Sequence, residues 1–116
     1  MLAGSGLALG GVRILFDECV PWPLHRQLPE HECRTAQQLG WKSVKNGELL
    51  TLAEDHFDLF LTTDQNLQYQ QNLSGRRIAI LELSTNKLRR VQAAVAGIQF
   101  AIAESRPGEY RRLEIP

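Results

Sequence analysis

Three short apolar runs punctuate the chain: Val12–Phe16, Asp58–Thr63 and Arg77–Leu83. Each is dense in aliphatic and aromatic residues and shows little polar alternation, the pattern of strands buried on both faces. Polar and helical patterns separate them. Pro21 and Pro23 fix a turn, and Pro23–Leu28 opens a short helix with proline in its first turn, stopped by Pro29. Glu32–Ala36 is a weaker strand candidate, and Leu39-Gly40-Trp41 marks a loop. Asn46 is a candidate N-cap for a helix over roughly Gly47 to His56, with Leu49, Leu50 and Ala53 as its apolar face. Gln65 to Leu73 is predicted as a loop or short helix anchored by Leu67, Tyr69 and Leu73, and Ser74-Gly75 turns the chain into the third run. From Thr85 to Glu104, Leu88, Val91, Val95, Ile98 and Ile102 recur at three- and four-residue steps. That spacing predicts one long helix, ended by Pro107-Gly108. Tyr110–Ile115 alternates weakly, as an edge strand does. Strands alternating with helices predict an α/β domain: a mostly parallel sheet of about four strands flanked by helices on both faces.

Composition narrows this picture without changing it. The chain has 116 residues, 43% hydrophobic and 22% charged, which suits one folded core rather than two or a disordered segment. No apolar stretch approaches the roughly 18 residues of a membrane span. Met1 to Gly11 is rich in Gly, Ala and Leu and lacks the basic flank of a secretory signal. It reads as a disordered leader, an expression remnant or an over-long start, which leaves a single domain from Val12 to Pro116. Cys19 and Cys33 have no paired spacing. This argues against a zinc ribbon or disulfide scaffold and fits a reduced, cytoplasmic protein. Acidic and basic residues balance at 13 each, but the acids concentrate before Gln65 and most of the bases follow Gly75.

The acids supply the candidate chemistry. Two of the apolar runs end on an aspartate, Phe16 leading into Asp17 and Thr63 into Asp64. If the two runs are parallel neighbours, their carboxylates meet at the C-terminal edge of the sheet, where open α/β sheets bind ligands. Like charges held together without a cation beside them in sequence favour a divalent metal. Glu48 is a third candidate, in a first helical turn where the dipole favours a carboxylate. Oxygen-only ligands suit Mg²⁺ or Mn²⁺ rather than zinc, and such an ion can activate water for attack on a phosphodiester. Plainer roles stand beside these: Asp17 as a turn former and Asp64 as a helix cap. Glu18, next to Asp17, is an auxiliary candidate. Thr62 offers a hydroxyl to a metal-bound water or a phosphate, or simply suits a strand.

The segment Ile14-Leu15-Phe16-Asp17-Glu18-Cys19-Val20-Pro21 is followed by Leu39-Gly40-Trp41, then Asn46-Gly47-Glu48-Leu49-Leu50, then Leu61-Thr62-Thr63-Asp64. This order resembles the small PIN-like domains, akin to VapC-type toxin ribonucleases and to the Mut7-C domain. In that family a strand runs into Asp-Glu-Asn-Val/Leu-Pro, and an acid opens a helix as Asp-x-Glu-Leu/Ile-Leu. A later strand ends in Thr-x-Asp. The resemblance covers Val12 to about Leu83 and implies a compact PIN-like three-layer fold. It further implies metal-dependent hydrolysis of RNA, with Asp17, Glu48 and Asp64 as catalytic and metal-binding residues. A small antitoxin protein and a homodimer are the partners it implies. The chain departs from the family twice, with Asn46 where an aspartate is frequent and Gln65-Asn66 where a second aspartate often follows. Asn66 can offer a carbonyl ligand or position a water, but brings neither charge nor a base.

Lys45, Arg76 and Arg77 are candidate phosphate contacts, as is the pair Arg89-Arg90; charges on a solvated face are the plainer reading. Trp22 and Trp41 can stack bases or cover the core. His25, His31 and His56 share no metal-ligand spacing, and Cys19 reads as a small buried thiol. Two further functions fit the same acids. One is a nuclease-derived module that binds RNA or a protein without cleavage, which Asn46 and Asn66 favour. The other is a response-regulator-like phosphoacceptor at Asp17 or Asp64. The lack of a paired acidic cluster in the first loop, and of a lysine after a late strand, counts against it.

Overall fold

The three apolar runs form β1 (Arg13–Phe16), β3 (Leu59–Thr62) and β4 (Ala79–Leu83), and the two weaker candidates form β2 (Glu32–Thr35) and β5 (Tyr110–Leu113). The structure is a computed structural model and describes residues 11–44, 46–67 and 75–116, with only the backbone of Asn46. The expected leader up to Gly10, Lys45, Tyr69, Leu73 and Ser74 lie outside the described residues, and so does the side chain of the expected Asn46 cap. The strands make one sheet in the order β2-β1-β3-β4-β5, every neighbouring pair parallel. The expected α/β class is therefore found, with five strands rather than about four. Both weak candidates lie at the edges, where half-polar strands belong, while β3 and β4 are buried throughout.

Register sorts the strand residues onto two cores. Ile14, Leu59 and Ala79 lie side by side, as do Phe16, Leu61 and Leu81. On this face they meet Leu24 and Leu28 of the 3-10 helix Trp22–Gln27, and Val91, Ile98, Ala101 and Ile102 from the C-terminal helices. Leu15, Phe60 and Ile80 point to the other face and pack against Leu49, Leu50 and Ala53 of α1 (Asn46–Ala53) and against Phe57. The result is three layers. The β1–β2 and β4–β5 crossovers lie over the same face but step in opposite directions across the sheet, so they differ in hand. The β2–β3 crossover, over the other face, shares the hand of the first. Since right-handed crossovers are the near-universal rule, one of these two hands departs from it.

Two helix expectations need correction. The segment expected to form one helix from Thr85 to Glu104 is divided at Ala94 into α2 (Leu88–Ala93) and α3 (Val95–Glu104). Ala94 leaves helical geometry (φ −101°, ψ 15°), and its N–H is shared between the carbonyls of Arg90 and Val91, both at 3.1 Å. The local overwinding breaks the helix, yet Val91 and Ile98 still reach the same core, so the apolar repeat runs straight across the break. Helix α1 ends at Ala53 rather than His56. Its last turn tightens into i to i+3 bonds, from the N–H of Asp55 to Leu52 and of His56 to Ala53. No helix among the described residues is long and apolar enough to cross a membrane.

Candidate functional site

The chain steps outward from β1 to β2 and then returns past β1 to β3, so the switch point of the sheet lies between β1 and β3. Asp17 follows β1 and stays tied to β3, its N–H donating to the Leu61 carbonyl at 2.9 Å. Its Oδ1 accepts from the Glu18 N–H at 2.9 Å, and its carbonyl accepts from Val20 at 3.0 Å, which closes the turn before Pro21. Thr62, the last residue of β3, is fully buried. Its hydroxyl donates to Asp17 Oδ2 at 2.7 Å and accepts the Asp64 N–H at 3.0 Å. One threonine thus links the two strand-end acids. Asp64 Oδ1 in turn accepts the Asn66 N–H at 2.9 Å, a local turn in which the backbone of Asn66, not its side chain, steadies the acid.

Glu48 is exposed in the first turn of α1. Among the described residues no three His, Cys, Asp or Glu side chains stand close enough to hold a metal ion. Asp17 and Asp64 are brought together, and Glu48 is not joined to them. Glu18 lies exposed on the turn after Asp17. Thr63 binds the same turn, its hydroxyl donating to the Cys19 carbonyl at 3.5 Å and its N–H to Cys19 Sγ at 3.4 Å. Burial pushes the Cys19 thiol pKa up, and the charge of Asp17 adds to this. Cys19 therefore stays a protonated, packed thiol.

Arg76 and Arg77 precede β4, at the sheet edge opposite Asp17. Arg76 donates to Thr51 Oγ1 at 2.9 Å and to the Gly47 carbonyl at 3.3 Å, and lies 3.8 Å from Glu54. Arg77 pairs with Asp55 at 3.1 Å. Both are engaged with α1 and its C-terminal turn. Arg89 and Arg90 are exposed on α2.

Sequence reasoning misses Glu82. It is fully buried in β4, directly in register with Thr62, and its carboxylate accepts from Tyr110 Oη and from the Arg112 guanidinium. Burial, then the hydrogen bond to Glu82, raises the Tyr110 pKa, and the charge of Asp64 contributes to the shift. A polar band therefore crosses the C-terminal edge of the sheet from Asp17 through Thr62 and Glu82 to β5. Its signal in the sequence is the lone charge in Ala79-Ile80-Leu81-Glu82-Leu83, since a charge inside a buried strand requires partners.

Beside Asp17 opens a cleft of about 270 Å³. Asp17, Glu18, Trp22, Thr35, Gln37, Trp41, Lys42 and Leu49 are among its walls. It lies at the C-terminal ends of β1 and β2, under the loop that leads into α1. No family model matches this chain, and no match was found among curated proteins or solved structures.

Proposed function

We propose that the protein is a metal-dependent ribonuclease of the PIN-like kind, hydrolysing RNA phosphodiesters at the C-terminal edge between β1 and β3. The pairing of Asp17 and Asp64 through the Thr62 hydroxyl at the switch point carries this reading. Both carboxylates are half-buried and keep oxygen lone pairs beyond those used in the hydrogen bonds described. Such a donor set fits Mg²⁺ or Mn²⁺, since magnesium commonly takes one or two carboxylates and fills its remaining positions with water and substrate phosphate. Asp17 and Asp64 would hold the ion, with Glu48 supplying a further carboxylate from α1. When bound, the ion supplies a water made nucleophilic near neutral pH and offsets charge on the phosphate. The chain's own part is positional. Thr62 directs its proton at Asp17 and so keeps that carboxylate oriented, while the Asn66 N–H does the same for Asp64. A small antitoxin-like partner and pairing of two copies extend this reading on the resemblance alone.

A second reading is a nuclease-derived module that binds RNA or a protein without cutting it. It is favoured by the assembly of two acids rather than three among the described residues, together with Asn46 and Asn66. Cleavage of single-stranded RNA with added Mn²⁺ separates the two. Asp17→Asn and Asp64→Asn are each expected to lower the rate by about 100-fold or more, since even groups that only orient metal ligands account for about 10- to 100-fold. Binding of RNA without cleavage by any form would establish the second reading instead.

A further inference from the structure

We propose that the cleft beside Asp17 is a site for one unpaired nucleobase, held against the indoles of Trp22 and Trp41. The inference rests on the nuclease reading for what happens at Asp17, but on separate residues for what binds. The chain has two tryptophans, and both line this one small cleft, half-buried rather than enclosed in the core. Each packs against other rings. Trp22 meets Phe16 edge-on, with centroids 5.3 Å apart and planes at 79°, and stacks on His25 at 3.9 Å and 15°. His25 covers one face of the Trp22 indole and is itself not part of the cleft wall. Trp41 is braced by Phe57 at 6.4 Å and 81° and by His56 at 5.9 Å and 46°, while its backbone N–H donates to the Ala36 carbonyl at 2.8 Å. Rings immobilised in this way lose little freedom when a flat guest stacks on them.

Charge decides what kind of guest fits. Asp17 and Glu18 in the wall repel a phosphate, so an anion does not belong inside, whereas a neutral base does. Thr35 and Gln37 supply a hydroxyl and an amide for its polar edge. Lys42 is exposed at the same wall and makes no ion pair among the described residues. It favours a phosphate at the rim and disfavours a cationic guest. The volume lies just under the roughly 300–1,000 Å³ of pockets that take drug-sized molecules, which admits a nucleoside but not a duplex. On the nuclease reading, an ion held by Asp17 and Asp64 would offset that repulsion for the phosphodiester of a base placed here, so the substrate strand must be unpaired at that position.

The test is a fluorescence titration of the full chain with metal chelated, reading indole quenching by a single-stranded RNA hexamer. Trp22→Leu and Trp41→Leu are each expected to weaken binding about 10- to 100-fold, the range for loss of one base-stacking ring. Trp22→Phe and Trp41→Phe should recover most of it. An abasic sugar–phosphate hexamer, tested on unaltered protein, should bind at least about tenfold more weakly, which keeps the test sound if a leucine variant fails to fold. Equal binding of a blunt duplex, equal binding of the abasic strand, or quenching only by an arginine-rich peptide would overturn the proposal. Tryptophan-dependent binding without cleavage under any metal would leave the base site standing and remove the nuclease reading. Cleavage by folded Trp41→Leu with unchanged KM would do the reverse.

Discussion

The Thr62 hydroxyl has one proton and two lone pairs, and its neighbours use both kinds. An ionised Asp17 can only accept, so the proton goes to Oδ2, and the Asp64 N–H takes a lone pair from the other side. Thr62→Val keeps the shape but removes both bonds inside a fully buried position. The expected loss is about 1–3 kcal/mol, since hydrogen bonds to charged groups contribute about 1.5–3 kcal/mol and half-buried Asp17 recovers part of that from water. Thr62→Ser retains the hydroxyl and should recover most of the loss in urea denaturation. Equal midpoints for the valine and serine variants would mean that the hydroxyl does not organise this edge.

At the level of elements, two glycines make opposite predictions. Gly11, which leads into β1, has φ +79°, and a Cβ there would stand 1.9 Å from the Glu30 carbonyl oxygen. Gly11→Ala therefore forces the start of β1 away from the turn before β2, at an expected cost of about 1–3 kcal/mol. Gly97 lies inside α3, and a Cβ there meets nothing within 4 Å. Gly97→Ala should stabilise the fold by about 0.5–1 kcal/mol. Thermal unfolding of the two variants should shift in opposite directions. The same contrast shows what was legible in the sequence. β1, β3 and β4 announce themselves because strands buried on both faces need unbroken apolar runs, and Asp17 and Asp64 stand out because they end two of them. The break at Ala94 carries no proline and keeps the apolar repeat intact, so pattern alone joins α2 to α3. Glu82 is visible as a stray charge, but its partners Tyr110 and Arg112 become neighbours only through the β4–β5 register. Arg76 and Arg77 read as free cations until the end of α1 brings Glu54 and Asp55 to them.

Over the whole molecule, charges balance at 13 of each sign, so the response of stability to pH depends on individual sites rather than on net repulsion. His31 is one such site. Its Nδ1 accepts the Val12 N–H at 3.0 Å, a bond that the neutral ring can make and the doubly protonated ring cannot. Burial lowers its pKa below the ordinary 6.5, while Glu30, 3.7 Å from Nε2, pulls weakly the other way. The unfolded chain therefore takes up a proton on this ring at a higher pH than the folded one does. By linkage, the stabilising contribution is fully present above about pH 6.5 and is lost as pH falls from there through the folded pKa. The urea midpoint should accordingly drop between pH 7.5 and pH 5.5, a window in which most carboxylates stay ionised. His31→Asn can still offer an acceptor to Val12 but does not titrate, so its midpoint should fall by distinctly less over the same interval. Parallel pH profiles for the two proteins would place the proton uptake elsewhere and separate the start of β1 from the acid sensitivity of the fold.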